Sequence, residues 1–194
     1  KAGNVVLPML FRLGEPRGRP DSPLPEFIKK NGISQVEKGE DPPLLTSDVE
    51  APVVEILGLN AAAIGHLNVN PDIDGGIRTE PLVLAHFNDI YPALSLMIAA
   101  KSLNLGVADI KVKLGDSVRL GNLKIGTDPA MQMNTFFYKD REGKPAFQVD
   151  SFFDVASGKI PLDKYKDKIV LIGPTAAGIG SIFVTPVSPA MPAV

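Results

Sequence analysis

Cysteine is absent from the 194 residues, and so is tryptophan. The first absence excludes thiol nucleophiles, disulfides and cysteine-ligated zinc, and it suits either redox compartment. The second, with aromatics at only 6%, argues against base-stacking and sugar-stacking platforms. His66 and His86 are the only histidines, too few for a histidine-built metal centre. No sign of charge dominates: 20 Lys and Arg stand against 22 Asp and Glu, for a net charge of −2. The chain therefore lacks the basic footprint of a nucleic-acid binder, and no nucleic-acid partner is expected. No apolar run approaches the about 18 residues of a membrane-spanning helix. No basic amphipathic helix suggests residence on a membrane surface.

What is present is globular. Apolar residues at 44% and charged residues at 22% match an ordinary folded domain. A chain of this length buries roughly 70% of its unfolded surface without help from metals or cross-links. Glycine and proline, 18 each, supply the punctuation. Asn4 to Phe11 (NVVLPMLF) reads as a buried strand, with Pro8 placing it near an edge or a strand end. Residues 14–52 form Pro/Gly-rich cover, interrupted by a brief helix around Glu26 to Asn31. Val53 to Asn60 reads as a short amphipathic helix and Ala63 to Val69 as a strand. Asn70 to Gly76 is a compact turn, and Ile77 to His86 a strand interrupted by Pro81 that pairs with the preceding one as a hairpin.

The best helix is Tyr91 to Leu105, with Pro92 in its first turn and Gly106 at its end. Period-two alternation in IKVKLGDSVRLGNLKI predicts three short strands, Ile110–Leu114, Ser117–Leu120 and Leu123–Ile125, with one wet face. Met131 to Lys139 predicts a longer strand, and Asp140 to Lys144 a charged turn. Ser151 caps a two-turn helix that ends at Gly158. The continuous apolar run Lys168 to Gly173 (KIVLIG) predicts a central strand covered on both faces. The fold class is α/β: a mixed sheet with flanking helices and a hairpin-rich antiparallel insert, in a layered sandwich. Residues 1–194 are expected to form a single domain.

Two segments carry candidate chemistry. In Ile169 to Ser181 (IVLIGPTAAGIGS) a strand runs into a glycine-rich loop, as phosphate-binding loops do. Gly173 and Gly178 have the required separation, but Ile179 stands where the phosphate-binding lysine belongs. A nucleotide-hydrolysing loop is therefore disfavoured against a plain strand-to-loop junction, while backbone amides with Thr175 and Ser181 retain the means to hold a small anion. In Asn70 to Glu80 (NPDIDGGIRTE), Asn70, Asp72 and Asp74 followed by Gly75 reproduce the opening of a calcium loop. The closing carboxylate is missing: Pro81 occupies its position and Glu80 falls one residue early. Two readings stay open. Asp72 and Asp74 either hold a cation, Ca²⁺ being the one that the spacing suits, or accept backbone amides in an Asx-type turn and pair with Arg78. No nucleophile elbow and no paired acid and base are present. A lone histidine in a strand, as at His66 and His86, is more often a satisfied structural residue than a base.

The blocks Gly65 to Leu82 (GHLNVNPDIDGGIRTEPL), Tyr91 to Leu96 (YPALSL), Ser151 to Pro161 (SFFDVASGKIP) and Asp167 to Ala177 (DKIVLIGPTAA), with Thr185–Pro186, resemble in their order the CHASE type 2 sensor domain. The resemblance covers nearly the whole chain, with residues 53–194 as the best-matching core, is firmest from Gly65 onward and extends to Asn4–Pro8. It implies an extracytoplasmic, non-enzymatic input domain of a bacterial inner-membrane receptor. The outputs of such receptors include histidine kinases, nucleotide and diguanylate cyclases and serine/threonine kinases. It also implies an unknown small-molecule or ion signal, a membrane-embedded parent and, as an alternative, a protein-interaction or homodimerisation role. The family pattern opens with a further strand and helix before the Asn4 strand and continues into membrane spans, so the chain is expected to be an extracytoplasmic portion. The candidate ligand residues are Asn70, Asp72, Asp74, Arg78, Thr175 and Ser181. No cofactor besides the calcium candidate is expected.

Overall fold

The computed structural model describes residues 3–16, 18, 23–39, 41–139, 141–142, 145–174 and 181–192. The chain divides into two compact units, Lys1–Asn70 with Thr79–Asn134, and Pro71–Arg78 with Thr135–Val194. In chain order the first unit contains β1 (Val6–Leu13), α1 (Glu26–Lys29), β2 (Gln35–Glu37), β3 (Leu45–Ala51), α2 (Glu55–Gly58), β4 (Ala63–His66) and β5 (Thr79–Pro81). It continues with β6 (Val83–His86), β7 (Asp89–Pro92), α3 (Leu94–Ser102), β8 (Ile110–Lys113), β9 (Ser117–Leu120), β10 (Leu123–Gly126) and β11 (Gln132–Asn134).

A five-stranded sheet runs β4-β1-β3-β6-β7 and a four-stranded sheet runs β10-β9-β8-β2; β11 and β5 form a separate pair. Pleat alternation sorts the side chains of the five-stranded sheet onto two cores. Met9, Phe11, Ile64, Leu84 and Tyr91 face one way and pack with Phe27 and Ile28 of α1. Ala63 and Val83 face the other way and pack with Leu96, Met97 and Ala100 of α3. The same core takes in Ile110, Val112, Val118 and Leu120 of the four-stranded sheet. The mixed, layered α/β arrangement expected from the sequence is therefore what forms, and the β8–β9–β10 meander is its antiparallel insert.

The outer strand β4 is held by unusual means. It pairs in parallel with β1, from Val6 opposite Ala63 to Met9 opposite His66. An isolated bridge joins His66 to Ala93, the residue after β7, so the two outer strands of the sheet meet. Side chains supply what the ladder lacks. The Asn31 carboxamide accepts from the Ile64 amide at 2.9 Å and donates to the Phe27 carbonyl at 2.9 Å. Asn68 accepts from the Phe11 amide at 3.0 Å and donates back to the Phe11 carbonyl at 2.6 Å, imitating one more residue of strand. The approach of β4 to the start of α3 is close: a Cβ on Gly65 would lie 2.6 Å from the Leu94 Cα and 2.7 Å from its nitrogen.

The second unit contains α4 (Phe152–Ala156) and the antiparallel pair β12 (Ile182–Thr185) and β13 (Ser188–Pro192). Ser151 caps α4 as expected, its hydroxyl accepting from the Asp154 amide at 3.4 Å, and Gly158 follows in the left-handed region at φ +77°. Asp150 is gripped by the Lys164 ammonium at 2.7 Å and the Tyr165 hydroxyl at 2.8 Å. Phe136, Tyr138 and Phe147 stack edge-on at 5.1 and 5.2 Å and are all exposed.

Four local expectations are corrected. Ala63–Val69 and Ile77–His86 do not pair as a hairpin: β1 and β3 stand between β4 and β6. A long connection fixes no register, so the partner was decided by burial instead. Tyr91 and Pro92 end β7 rather than begin the helix, because the sheet edge tolerates a proline and uses the Tyr91 ring in its core. The strand expected over Met131–Lys139 spans only Gln132–Asn134, where β5 pairs with it. Lys168–Gly173 forms no strand, and Ile169, Val170, Leu171 and Ile172 are 49–77% exposed. The strands described in its unit, β12 and β13, pair with each other, and an apolar run without a sheet to join has nothing to cover it. The charged turn expected at Asp140–Lys144 lies largely outside the described residues.

Gly65→Ala is expected to destabilise the chain by about 3 kcal/mol through collision with fixed backbone. Asn68→Ala, which orphans the buried amide and carbonyl of Phe11, is expected to cost about 2–4 kcal/mol. Urea unfolding of both variants beside Gly126→Ala, a position with open space around it and no left-handed φ, checks the ranking.

Candidate functional site

The acidic loop of the second unit is a self-contained ionic turn. The Asp72 amide donates to the Gly76 carbonyl at 2.9 Å, and the Gly75 amide to the Asp72 carbonyl at 2.8 Å. Gly75 takes φ +78°, which a glycine enters without strain. The Asp74 carboxylate accepts from the Gly76 amide at 2.9 Å, the Asx-type geometry. Arg78 then closes the turn. Its Nη1 donates to Asp72 Oδ2 at 2.6 Å and Asp74 Oδ1 at 2.9 Å, and its Nη2 to Asp74 Oδ2 at 2.8 Å. The Arg78 guanidinium, helped by the Gly76 amide, holds the Asp74 carboxyl well below the usual carboxylate range. The two carboxylates in turn push the Arg78 guanidinium still further up. All three side chains are exposed. Ile77 is buried, and its amide donates to the Val184 carbonyl at 2.8 Å, which docks the loop on β12.

The structure thus brings Asp72, Asp74 and Arg78 together. Asn70 belongs to the first unit, where its carboxamide donates to Gln132 Oε1 at 3.0 Å. Glu80, one residue early for a calcium loop, also belongs to the first unit and accepts from the Ser95 hydroxyl at 2.5 Å; burial raises its pKa. Ser181 is exposed just before β12. Thr175 lies outside the described residues. Among the described residues no group of three or more His, Cys, Asp or Glu side chains is arranged to hold a metal ion.

The two histidines differ, and one departs from expectation. His86 is satisfied: its Nδ1 lies 2.9 Å from the Thr46 hydroxyl, which donates to the Ala85 carbonyl at 3.0 Å. The hydroxyl has one proton, so with that proton on Ala85 it accepts from His86, which places the imidazole proton on Nδ1. His86 also packs against Phe11 and Tyr91, with ring centroids at 5.1 and 6.4 Å. His66 is 1% exposed, and neither ring nitrogen has a hydrogen-bond partner among the described residues. Burial drives its pKa down to about 3, so the ring is neutral at neutral pH. The Tyr91 hydroxyl on the same face of the sheet is likewise buried without a partner among the described residues, and burial raises its pKa. The roles of Asn31, Asn68 and His66 depend on which strand lies beside which, and nothing in the local pattern announces that.

A family model described as the CHASE2 domain matches residues 1–194, the whole chain. No curated protein and no solved structure matches it. No helix among the described residues is long and apolar enough to cross a membrane.

His66 imposes a pH dependence. Its pKa is lower in the fold than in the unfolded chain, so its contribution to stability is complete above pH 6.5 and is lost as the pH falls towards 3. Full protonation against that shift costs about 5 kcal/mol, and lowering the pH from 7 to 4.5 should remove about 2–3 kcal/mol of it. His66→Leu is expected to shrink that loss to the smaller contribution of His86, whose pKa burial also lowers. Urea midpoints at the two pH values for both proteins measure it.

Proposed function

The chain belongs to the CHASE2 family, a family of extracytoplasmic sensor domains of signalling receptors, and we propose that it reads a small molecule or an ion for a bacterial transmembrane receptor. In this reading residues 1–194 act as one periplasmic input domain that performs no reaction. The parent protein crosses the inner membrane. A histidine kinase, a nucleotide or diguanylate cyclase, or a serine/threonine kinase inside the cell supplies the output.

The observation that carries the reading is the Arg78 clamp on Asp72 and Asp74. A ligand shifts a conformational equilibrium only through different affinities for the two states. Exposed ion pairs contribute about 0–1 kcal/mol each, so the bonds of Arg78 exchange for a ligand's charges at little cost. A cation, with Ca²⁺ as the candidate, competes with the guanidinium for Asp72 and Asp74; an anion competes with the carboxylates for Arg78. Asn70, Thr175 and Ser181 remain the accessory candidates of this proposal.

A second reading, a protein-interaction or homodimerisation module, is favoured by the exposed ring trio Phe136, Tyr138 and Phe147 and by exposed Ile169–Ile172. Such surfaces mark association sites more often than free solvent faces.

Calorimetry and thermal shift with millimolar Ca²⁺ test the ion version. Ca²⁺ is expected to raise the melting temperature, and Arg78→Gln, which removes the competing charge, to tighten binding about threefold to fivefold. A flat response from both proteins eliminates Ca²⁺ as the signal. Sedimentation velocity over a concentration series tests the second reading: a constant monomer mass rules out self-association.

A further inference from the structure

The four-stranded sheet of the first unit has a solvent face whose charges are arranged against its own stability. Alternation buries Ile110, Val112, Val118 and Leu120 and turns Lys111, Lys113 and Arg119 to water. The strand register then sets Gln35 opposite Lys111, Lys111 opposite Arg119, and Arg119 opposite Lys124. Three cations therefore occupy one rung across β8, β9 and β10, with neighbouring strands about 4.7–4.9 Å apart. Like charges directly opposite each other destabilise a sheet. Lys124 is relieved by Asp116 at 3.1 Å. Lys111 and Arg119 make no ion pair and no side-chain hydrogen bond among the described residues. On the next rung Lys113 lies between Glu37 and Ser117. These side chains rim a groove of about 400 Å³.

We propose that this rung is a binding site for a small multivalent anion, one carrying two or more carboxylate or phosphate groups, held between Lys111 and Arg119. The arginine fork suits either group bidentately. The span from Lys111 to Lys124, two strand spacings or about 9–10 Å, suits anionic groups set a few bonds apart. A polymer is a poor fit, because nucleic acid and anionic membranes need an extended cationic stripe. Here Glu37 and Asp116 bound the cations, and the whole chain is acidic at −2. Binding the anion removes the repulsion along the rung, so the site is strained without its ligand and relaxed with it. The proposal goes beyond the sensor reading: anion binding at this face and relay of a signal are measured separately.

Isothermal titration of the chain with citrate and with pyrophosphate at low ionic strength tests it, with acetate as the single-charge comparator. One site with a Kd below about 1 mM is expected for at least one of the two, with acetate at least about tenfold weaker. Preference between them identifies carboxylate or phosphate as the group recognised. Lys111→Gln and Arg119→Gln should each weaken binding about fivefold or more, whereas Lys30→Gln, at the residue that follows α1, should leave it unchanged. Both rung variants should melt higher than the parent chain in anion-free buffer, a readout that needs no ligand. Absence of binding up to about 10 mM of either anion, or full affinity retained in both rung variants, overturns the proposal.

Discussion

The first unit depends on how the backbone of β4 is satisfied. A strand at the end of a sheet presents unpaired amides and carbonyls, and burying them unpaired costs about 1–3 kcal/mol each. Here β4 has β1 on one side only. Asn31 and the His66–Ala93 bridge complete the account for β4, and Asn68 does the same for Phe11 of β1 beyond the end of β4, which allows the strand to be covered by α3 instead of water. Gly65 belongs to the same constraint, because only a residue without a Cβ lets the strand lie against Leu94. The opposite face of β4 carries His66. Its ring is sealed there with no hydrogen-bond partner among the described residues, and it persists only by staying neutral.

Much of this was legible in the sequence, and the rest was not for identifiable reasons. The β8–β9–β10 meander, the Ser151 cap with its terminating Gly158 and the ionic turn at Asp72–Arg78 are local: alternation, capping chemistry and side-chain reach lie within a few residues. The family resemblance was legible because several such blocks stand in order. The partner of β4 was not, since parallel pairing with β1 joins segments that no turn connects. Asn68 illustrates the limit. Within its own stretch it is a polar residue leaving a strand, and only the position of Phe11 makes it a surrogate strand residue. Lys168–Gly173 shows the converse. Its composition specifies burial, but burial needs a neighbouring sheet, and composition says nothing about whether one is there.

The two charged features differ in how their charges are balanced. In the acidic turn, opposite charges are set close in sequence, and each side chain satisfies the others. On the four-stranded sheet, like charges are brought opposite each other by the register of two hairpins, and among the described residues of that rung only Lys124 finds a carboxylate. Net charge hides both, since it sums over the chain what electrostatics feels over a few ångströms. An acidic protein can therefore carry a locally cationic face, and the exclusion of nucleic acid from composition does not extend to small anions.

These energies also set which parts of the molecule can respond to a signal. Opening the β4 seam exposes two asparagine clamps, an unpartnered imidazole and the cores on both faces of the sheet, a loss of many kcal/mol that no weak ligand offsets. Rearranging Arg78, or neutralising Lys111 and Arg119, involves solvated charges worth about 1 kcal/mol or less apiece. A ligand with a modest preference for one arrangement shifts such an equilibrium several-fold. The seam then has a role of its own within the first unit: a small change in charge is met by movement of loops and side chains and not by partial unfolding.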